Sequence, residues 1–230
     1  MKETLPSTCI PVPKIEEDGY DWYKRHDTIC RRCQEEIFDI VFIGDSITHY
    51  FQKEEENGAD HGSEVWEEFY GKRKVLNMGY GFDRTQNVLW RLEHGELANQ
   101  NPKFIVVHIG TNQYSGRKDP PEDTAKGILL IVEKLRELCP DSQILLMAIF
   151  PRYEKSHEVR LLIGRANAIV EESLRKKGDG KVTFLDLSKD FTTADGEQKK
   201  EAFRPCCTHL TPAGYRIWAG ALEKFFAGKV

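Results

Sequence analysis

FDIVFIGDSITHYF, residues 38–51, contains the run that decides the fold. From Phe38 to Ile43 it is short, apolar but for Asp39 and rich in β-branched residues, and Gly44 ends it. Such a run is shorter than a helix and shows no in–out alternation, as expected of a strand buried on both faces. The same kind of run recurs downstream as KVLNM (74–78), FIVVHI (104–109), QILLMAIF (143–150) and VTFLDL (182–187). Between these lie TQNVLWRLEHGEL (85–97), DTAKGILLIVEKLREL (123–138) and EVRLLIGRANAIVEESLRKK (158–177), whose apolar residues have helical spacing. An N-terminal helix is predicted around Asp21 to Glu36. A closing helix is predicted over PAGYRIWAGALEKFF (212–226), with Pro212 in its first turn. Alternating strands and helices predict a three-layer α/β/α sandwich around a parallel five-stranded sheet with right-handed crossovers. No repeat, low-complexity tract or linker divides the chain. Residues 1–37 therefore read as an extension and helix packed on a domain spanning 38–230.

At 230 residues, with 40% hydrophobic and 30% charged residues, the chain has the balance of an ordinary globular protein with a full core. A net charge of -4 produces no field that would select nucleic acid or an acidic membrane. No apolar run has the length of a signal peptide or a membrane span, so a cytoplasmic location is expected. Six cysteines in a chain of this size need not form staples. Cys30 and Cys33 form a CxxC, but in the polar stretch DTICRRCQEE rather than between a strand and a helix, which disfavours thioredoxin-like chemistry. Together with Cys206 and Cys207 they would have the number of thiols for a zinc site. The plainer reading is helix thiols plus a chance vicinal pair.

In a doubly wound sheet, ligands bind beyond the carboxyl ends of the strands. Gly44-Asp45-Ser46 follows the first run, Asn77-Met78-Gly79 the second and Gly110-Thr111-Asn112 the third, so small and polar residues collect along one rim. A serine becomes a nucleophile when a base takes its proton and donors hold the resulting oxyanion. Ser46 is placed to point into the cleft with its own N–H facing the reacting carbonyl. Gly79 lets a backbone N–H approach without a Cβ in the way, and Asn112 adds an amide donor. His209, just before the closing helix, is placed to reach back to Ser46. Singly, each feature also reads as a turn, a cap or a structural histidine; their combination at successive strand ends is what carries the inference.

On the segments VFIGDSITHYF, VLNMGYGFDRTQNVLWRLEHGEL, FIVVHIGTNQ and THLTPAGYRIW, the sequence from about Asp39 onward resembles the SGNH/GDSL hydrolases, a flavodoxin-like three-layer fold. The second segment is similar to the branch of platelet-activating-factor acetylhydrolase catalytic subunits and bacterial carbohydrate acetylesterases. The resemblance implies a serine esterase with Ser46 as nucleophile and His209 as base. Gly79 and Asn112 would join the Ser46 N–H as oxyanion donors, and no metal or organic cofactor would be required. It implies a small acyl ester as substrate, with an O-acetyl group on a carbohydrate favoured. A lipase or thioesterase and a catalytically impaired binding protein are the alternatives. Neither nucleic acid nor membrane is expected as a partner, and the oligomeric state is left open, a homodimer included.

One position departs from the family pattern. The family's aspartate three residues before the histidine is replaced by Cys206 in Arg204-Pro205-Cys206-Cys207-Thr208-His209. His209 would then be oriented by a backbone carbonyl, or by an acid such as Asp186, Asp190, Asp195 or Glu201, or the chain is impaired. A working dyad or a substitute acid is favoured, because the other three segments keep every functional side chain. Asp45 is expected to hold backbone in the first loop. Asp83 and Arg84 are read either as cap and surface pair or as substrate contacts, and Trp90 as core. Tyr80, Phe82 and Tyr114 are expected to form an aromatic wall for a sugar or acyl chain.

Overall fold

Five short apolar runs form five parallel strands in the computed structural model, which describes residues 4–53 and 61–229. β1 (Ile40–Gly44), β2 (Val75–Gly79), β3 (Phe104–His108), β4 (Gln143–Met147) and β5 (Val182–Leu185) lie in the order β2-β1-β3-β4-β5. In register, Gly44 sits beside Gly79 on one side and His108 on the other. β1 is buried along its whole length, which explains its unbroken apolar character.

Successive side chains of each strand serve opposite layers. Val41, Ile43, Leu76, Met78, Ile105 and Val107 join one core cluster, which they share with α1 (Trp22–Glu35), α4 (Thr85–Glu93), α5 (Pro121–Leu138) and α6 (Glu158–Lys177). Ile40, Phe42, Phe104, Val106, Leu145 and Met147 join the other, with α3 (Ser63–Tyr70) and α7 (Pro212–Phe226). The predicted three-layer α/β sandwich is therefore present. α1 buries Trp22, Ile29 and Cys33 in the first cluster, so the segment before β1 shares the core. Trp90 is partly buried against the same cluster.

The long helices match the sequence reading closely: α6 and α7 begin and end where their periodicity predicts. Pro212 occupies the first turn of α7, with the Thr211 side chain accepting the Gly214 N–H. Several boundaries differ, two of them by more than two residues. The fourth run leaves the sheet at Met147, although Ala148 to Phe150 remain buried. The helix predicted to reach Leu97 ends at Glu93. Two short helices were not predicted, α2 (Ser46–His49) and α3; four and eight residues show too little periodicity to read. No described helix is long and apolar enough to cross a membrane.

The chain steps from β1 to β2 on one side, then returns to β3 on the other. That reversal leaves a crevice at the carboxyl ends of β1 and β3.

Candidate active site

β1 ends at Gly44 and the chain turns at once into α2. Asp45 caps that helix: its Oδ1 accepts the Ile47 N–H at 2.9 Å and its carbonyl accepts the His49 N–H. Ser46 thus takes the first helical position, where an N–H has no intrahelical acceptor, and none is found for it among the described residues. Asp45 is wholly buried, and burial pushes its carboxyl up to about 7. It holds the turn, as expected, and its carboxyl makes no hydrogen bond to the Ser46 or His209 side chain among the described residues. α2 is anchored by Tyr215 of α7, which shares its core cluster and whose hydroxyl donates to the Ile47 carbonyl at 2.7 Å.

His209 comes from a tight loop between two core anchors, Phe203 and Leu210, which are paired across a β-bridge. Arg204 N–H donates to the His209 carbonyl and Cys207 N–H to the Arg204 carbonyl, both at 2.8 Å. This loop brings Nε2 of His209 to 2.9 Å from Ser46 Oγ. On the far side of the ring, Nδ1 lies 3.4 Å from Cys206 Sγ, which also accepts the His209 backbone N–H at 3.4 Å. With Nε2 accepting from the serine hydroxyl, Nδ1 carries the proton and donates toward sulfur, an assignment that follows from the network. Asp186, Asp190, Asp195 and Glu201 make no bond to His209; Asp186 accepts from Ser188 N–H and Asp195 from the Thr193 hydroxyl. No backbone carbonyl meets Nδ1 among the described residues either. Burial, then His61, Arg152 and Arg204, lower the His209 imidazole to about 4, so the ring is neutral at physiological pH.

Asn112 is the second residue of the short 3-10 turn (Thr111–Tyr114) after β3. Its amide donates one hydrogen to the Asp83 carbonyl at 3.0 Å, leaving the second for the cleft. Arg84 fixes this loop by donating to the Asn112 and Ser115 carbonyls. Gly79 does not fill the donor role expected of it. Its N–H donates to Asn77 Oδ1 at 2.8 Å and its carbonyl accepts from Arg25 Nε at 2.9 Å. A Cβ there would stand 2.2 Å from the His49 nitrogen, so the glycine serves the close packing of α2 on β2. Phe82 occupies the rim instead. At φ 60° it is left-handed, it lines the cleft, and its N–H has no acceptor among the described residues. A positive φ on a phenylalanine leaves no mark in the sequence.

The cleft, about 180 Å³, is lined by Ser46, Tyr50, Phe82, Asn112, Ser115, Arg152, Cys206, Thr208 and His209. Of the predicted aromatic wall only Phe82 is present. Tyr80 is buried with its hydroxyl on Glu96, and Tyr114 is buried in the core, because the strand end and the 3-10 turn point them inward. Tyr50 is the aromatic residue the sequence reading missed; its ring centroid lies 5.2 Å from that of His209. Arg152, just beyond β4, was missed as well, although the rim rule applied to the fourth run points to it. Asp83 does not face substrate: its carboxylate, pushed upward by burial, binds Trp22 Nε1 and Arg91 Nε. Cys30 and Cys33 lie on α1, and no three His, Cys, Asp or Glu among the described residues are grouped to share a metal ion. The four-cysteine zinc reading is therefore not supported.

Residues 42–217 match the GDSL-like lipase/acylhydrolase family. The chain is 34% identical over 212 residues to platelet-activating factor acetylhydrolase IB subunit alpha2 of Homo sapiens, covering 91% of this chain and 86% of that protein. Its fold is similar to that of a GDSL-like lipase from Bacteroides thetaiotaomicron, with TM-score 0.69 and 17% identity over 90% of this chain and 98% of the other. It is also similar to a catalytic mutant of an acetylxylan esterase from Geobacillus stearothermophilus, with TM-score 0.64 and 17% identity over 83% and 94%. A serine at the first turn after β1, a histidine before the last helix and this match over most of the chain lead to one conclusion: the chain belongs to the GDSL-like lipase/acylhydrolase family and is a carboxylic ester hydrolase.

Proposed function

We propose that the chain hydrolyses short acyl esters, acetyl esters foremost, through an acyl-enzyme on Ser46. The observation that carries this reading is the 2.9 Å contact between Ser46 Oγ and Nε2 of a neutral His209. Ser46 Oγ attacks the ester carbonyl as its proton passes to Nε2. The carbonyl oxygen becomes an oxyanion facing the Ser46 and Phe82 N–H groups and the free hydrogen of the Asn112 amide. His209 returns the proton to the departing alcohol, leaving the acyl group on Ser46. Water then adds as its proton passes to His209, and Ser46 recovers its proton as the carboxylic acid leaves.

A cleft of about 180 Å³ suits an acetyl group better than a long acyl chain. An O-acetylated carbohydrate is the favoured natural ester. This is supported by the aromatic faces of Phe82 and Tyr50 at the cleft and by the fold shared with an acetylxylan esterase. Hydrolysis of 4-nitrophenyl acetate by wild type and Ser46→Ala tests the reading. Turnover is expected to fall about a thousandfold or more in the variant, with circular dichroism unchanged. Equal turnover in both proteins, or none in either, would overturn it; the second outcome would indicate a binding protein.

A further inference from the structure

The arginines under the sheet rim are not alike. Arg91 is fully buried, with Asp83 on Nε at 2.8 Å and Glu96 on Nη1. Arg84 is 4% exposed and pairs with Glu16 at 2.8 Å. Arg152 is 6% exposed and lines the cleft beside Ser46 and His209, yet no carboxylate reaches it among the described residues. Its Nη1 donates to the Thr111 carbonyl (3.0 Å) and hydroxyl (3.4 Å) and to the Ser115 hydroxyl (3.2 Å). Its Nη2 donates to the Tyr153 hydroxyl at 2.9 Å, and Nε is buried without an acceptor. These neutral oxygens orient the guanidinium, and among the described residues no ion pair compensates its charge; the buried Asp45 carboxyl interacts with it without bonding to it and is itself pushed up to about 7 by burial. A buried charge normally has a counter-charge, because desolvation without one is costly.

No described residue lining the cleft carries a negative charge that would oppose it. His61, Arg152 and Arg204 all act on His209 as positive neighbours, and among the described residues no carboxylate counters them there. In a chain whose net charge is -4, and with His209 neutral, Arg152 alone is charged among the described residues that line the cleft. A planar guanidinium oriented in advance, with a spare donor, matches the geometry of a carboxylate.

We propose that Arg152 is the counter-charge site for substrate, so that the natural ester carries a carboxylate which Arg152 holds while Ser46 attacks. This inference rests on the esterase reading above. The carboxylate belongs either to the acyl group, as in a dicarboxylic half-ester, or to the alcohol, as in an acetylated uronic acid.

Two matched pairs of esters test it with the full chain. 4-Nitrophenyl acetate against 4-nitrophenyl hydrogen succinate places the carboxylate on the acyl side. O-acetylglucose against O-acetylglucuronate places it on the alcohol side. In one pair the anionic ester is expected to exceed its neutral partner in kcat/KM by about tenfold or more, through KM. In Arg152→Met the ratio should collapse to about one, and Arg152→Lys should restore part of it. Wild-type ratios near one in both pairs would overturn the proposal, and this arm requires no variant to fold. An equal loss on neutral and anionic esters in Arg152→Met would also overturn it, assigning the residue to the scaffold. Hydrolysis that persists in Ser46→Ala would instead sink the esterase reading itself.

Discussion

Two polar clusters, one buried under α4 and one lining the open cleft, are built on opposite terms. Under α4, Arg91 is enclosed by Asp83 and Glu96, Glu96 accepts also from the Tyr80 hydroxyl and contacts His26, and Asp83 accepts from the Trp22 indole. Burial opposes ionisation of Glu96, yet Arg91, His26 and Tyr80 hold its carboxyl below the usual range. In the cleft, Ser46, His209, Cys206 and Arg152 lie close together with spare donors and, among the described residues, no carboxylate. The first cluster is closed, its guanidinium and carboxyls paired with one another. The second is left incomplete, and incompleteness is what a substrate requires. The difference teaches that burial of charge alone does not mark a site; what marks it is charge and donors left without partners.

The largest expected effect lies in the closed cluster. Arg91→Met would leave Asp83 and Glu96 buried without their cation, and removing one partner of such a pair costs about 3–5 kcal/mol. Chemical denaturation should show a loss of that size, while kcat of the protein that remains folded should change little. A stable Arg91→Met protein with impaired turnover would reverse the assignment of the two clusters.

The closed cluster was also the less legible of the two. Asp83 and Arg84 stand together in the sequence, but nothing in their spacing shows that one turns into the core toward Trp22 while the other clamps the Asn112 loop. Such choices depend on contacts across the fold, including one between α1 and the turn before α4, that no local pattern encodes. The sheet was legible because full burial of each strand demands unbroken apolar runs, and the long helices because their periodicity repeats over several turns. Ser46, Asn112 and His209 were legible because a strand end or a helix start fixes each of them. The donor beside them was not. Gly79 is a glycine for packing, and the residue at the rim is a phenylalanine in a conformation that glycine would advertise.

Cys206 offers a more moderate perturbation, in the open cluster. The thiol occupies the place facing Nδ1, at 3.4 Å, where a carboxylate would both orient the ring and stabilise the imidazolium. Cys206→Asp is therefore expected to raise kcat by about tenfold or more; amidating the corresponding acid in serine proteases costs roughly 10⁴. The pH profile should move with it. The base must be unprotonated, so wild-type kcat/KM is lost as pH falls through about 4. An adjacent carboxylate favours the imidazolium and should shift this acid limb upward by about 1–3 units. Higher turnover with an unmoved limb would mean that ring orientation, not charge, was limiting. A large fall in kcat would mean that the sulfur itself is required.

The smallest effect is expected where the open cluster stores backbone strain. Phe82 is left-handed at φ 60° and 46% exposed, so its side chain contributes little to the core. Phe82→Gly removes the steric penalty of that conformation but adds freedom to the unfolded chain. The two terms oppose each other and should change stability by no more than about 1 kcal/mol. Because the oxyanion contact assigned to Phe82 is made by its backbone N–H, kcat toward 4-nitrophenyl acetate should persist. Loss of the ring should instead raise KM for an acetylated sugar relative to that small ester. A collapse of kcat with KM intact would show that the phenyl ring holds the rim in place, making strain at the cleft a requirement rather than a by-product of the donor's position.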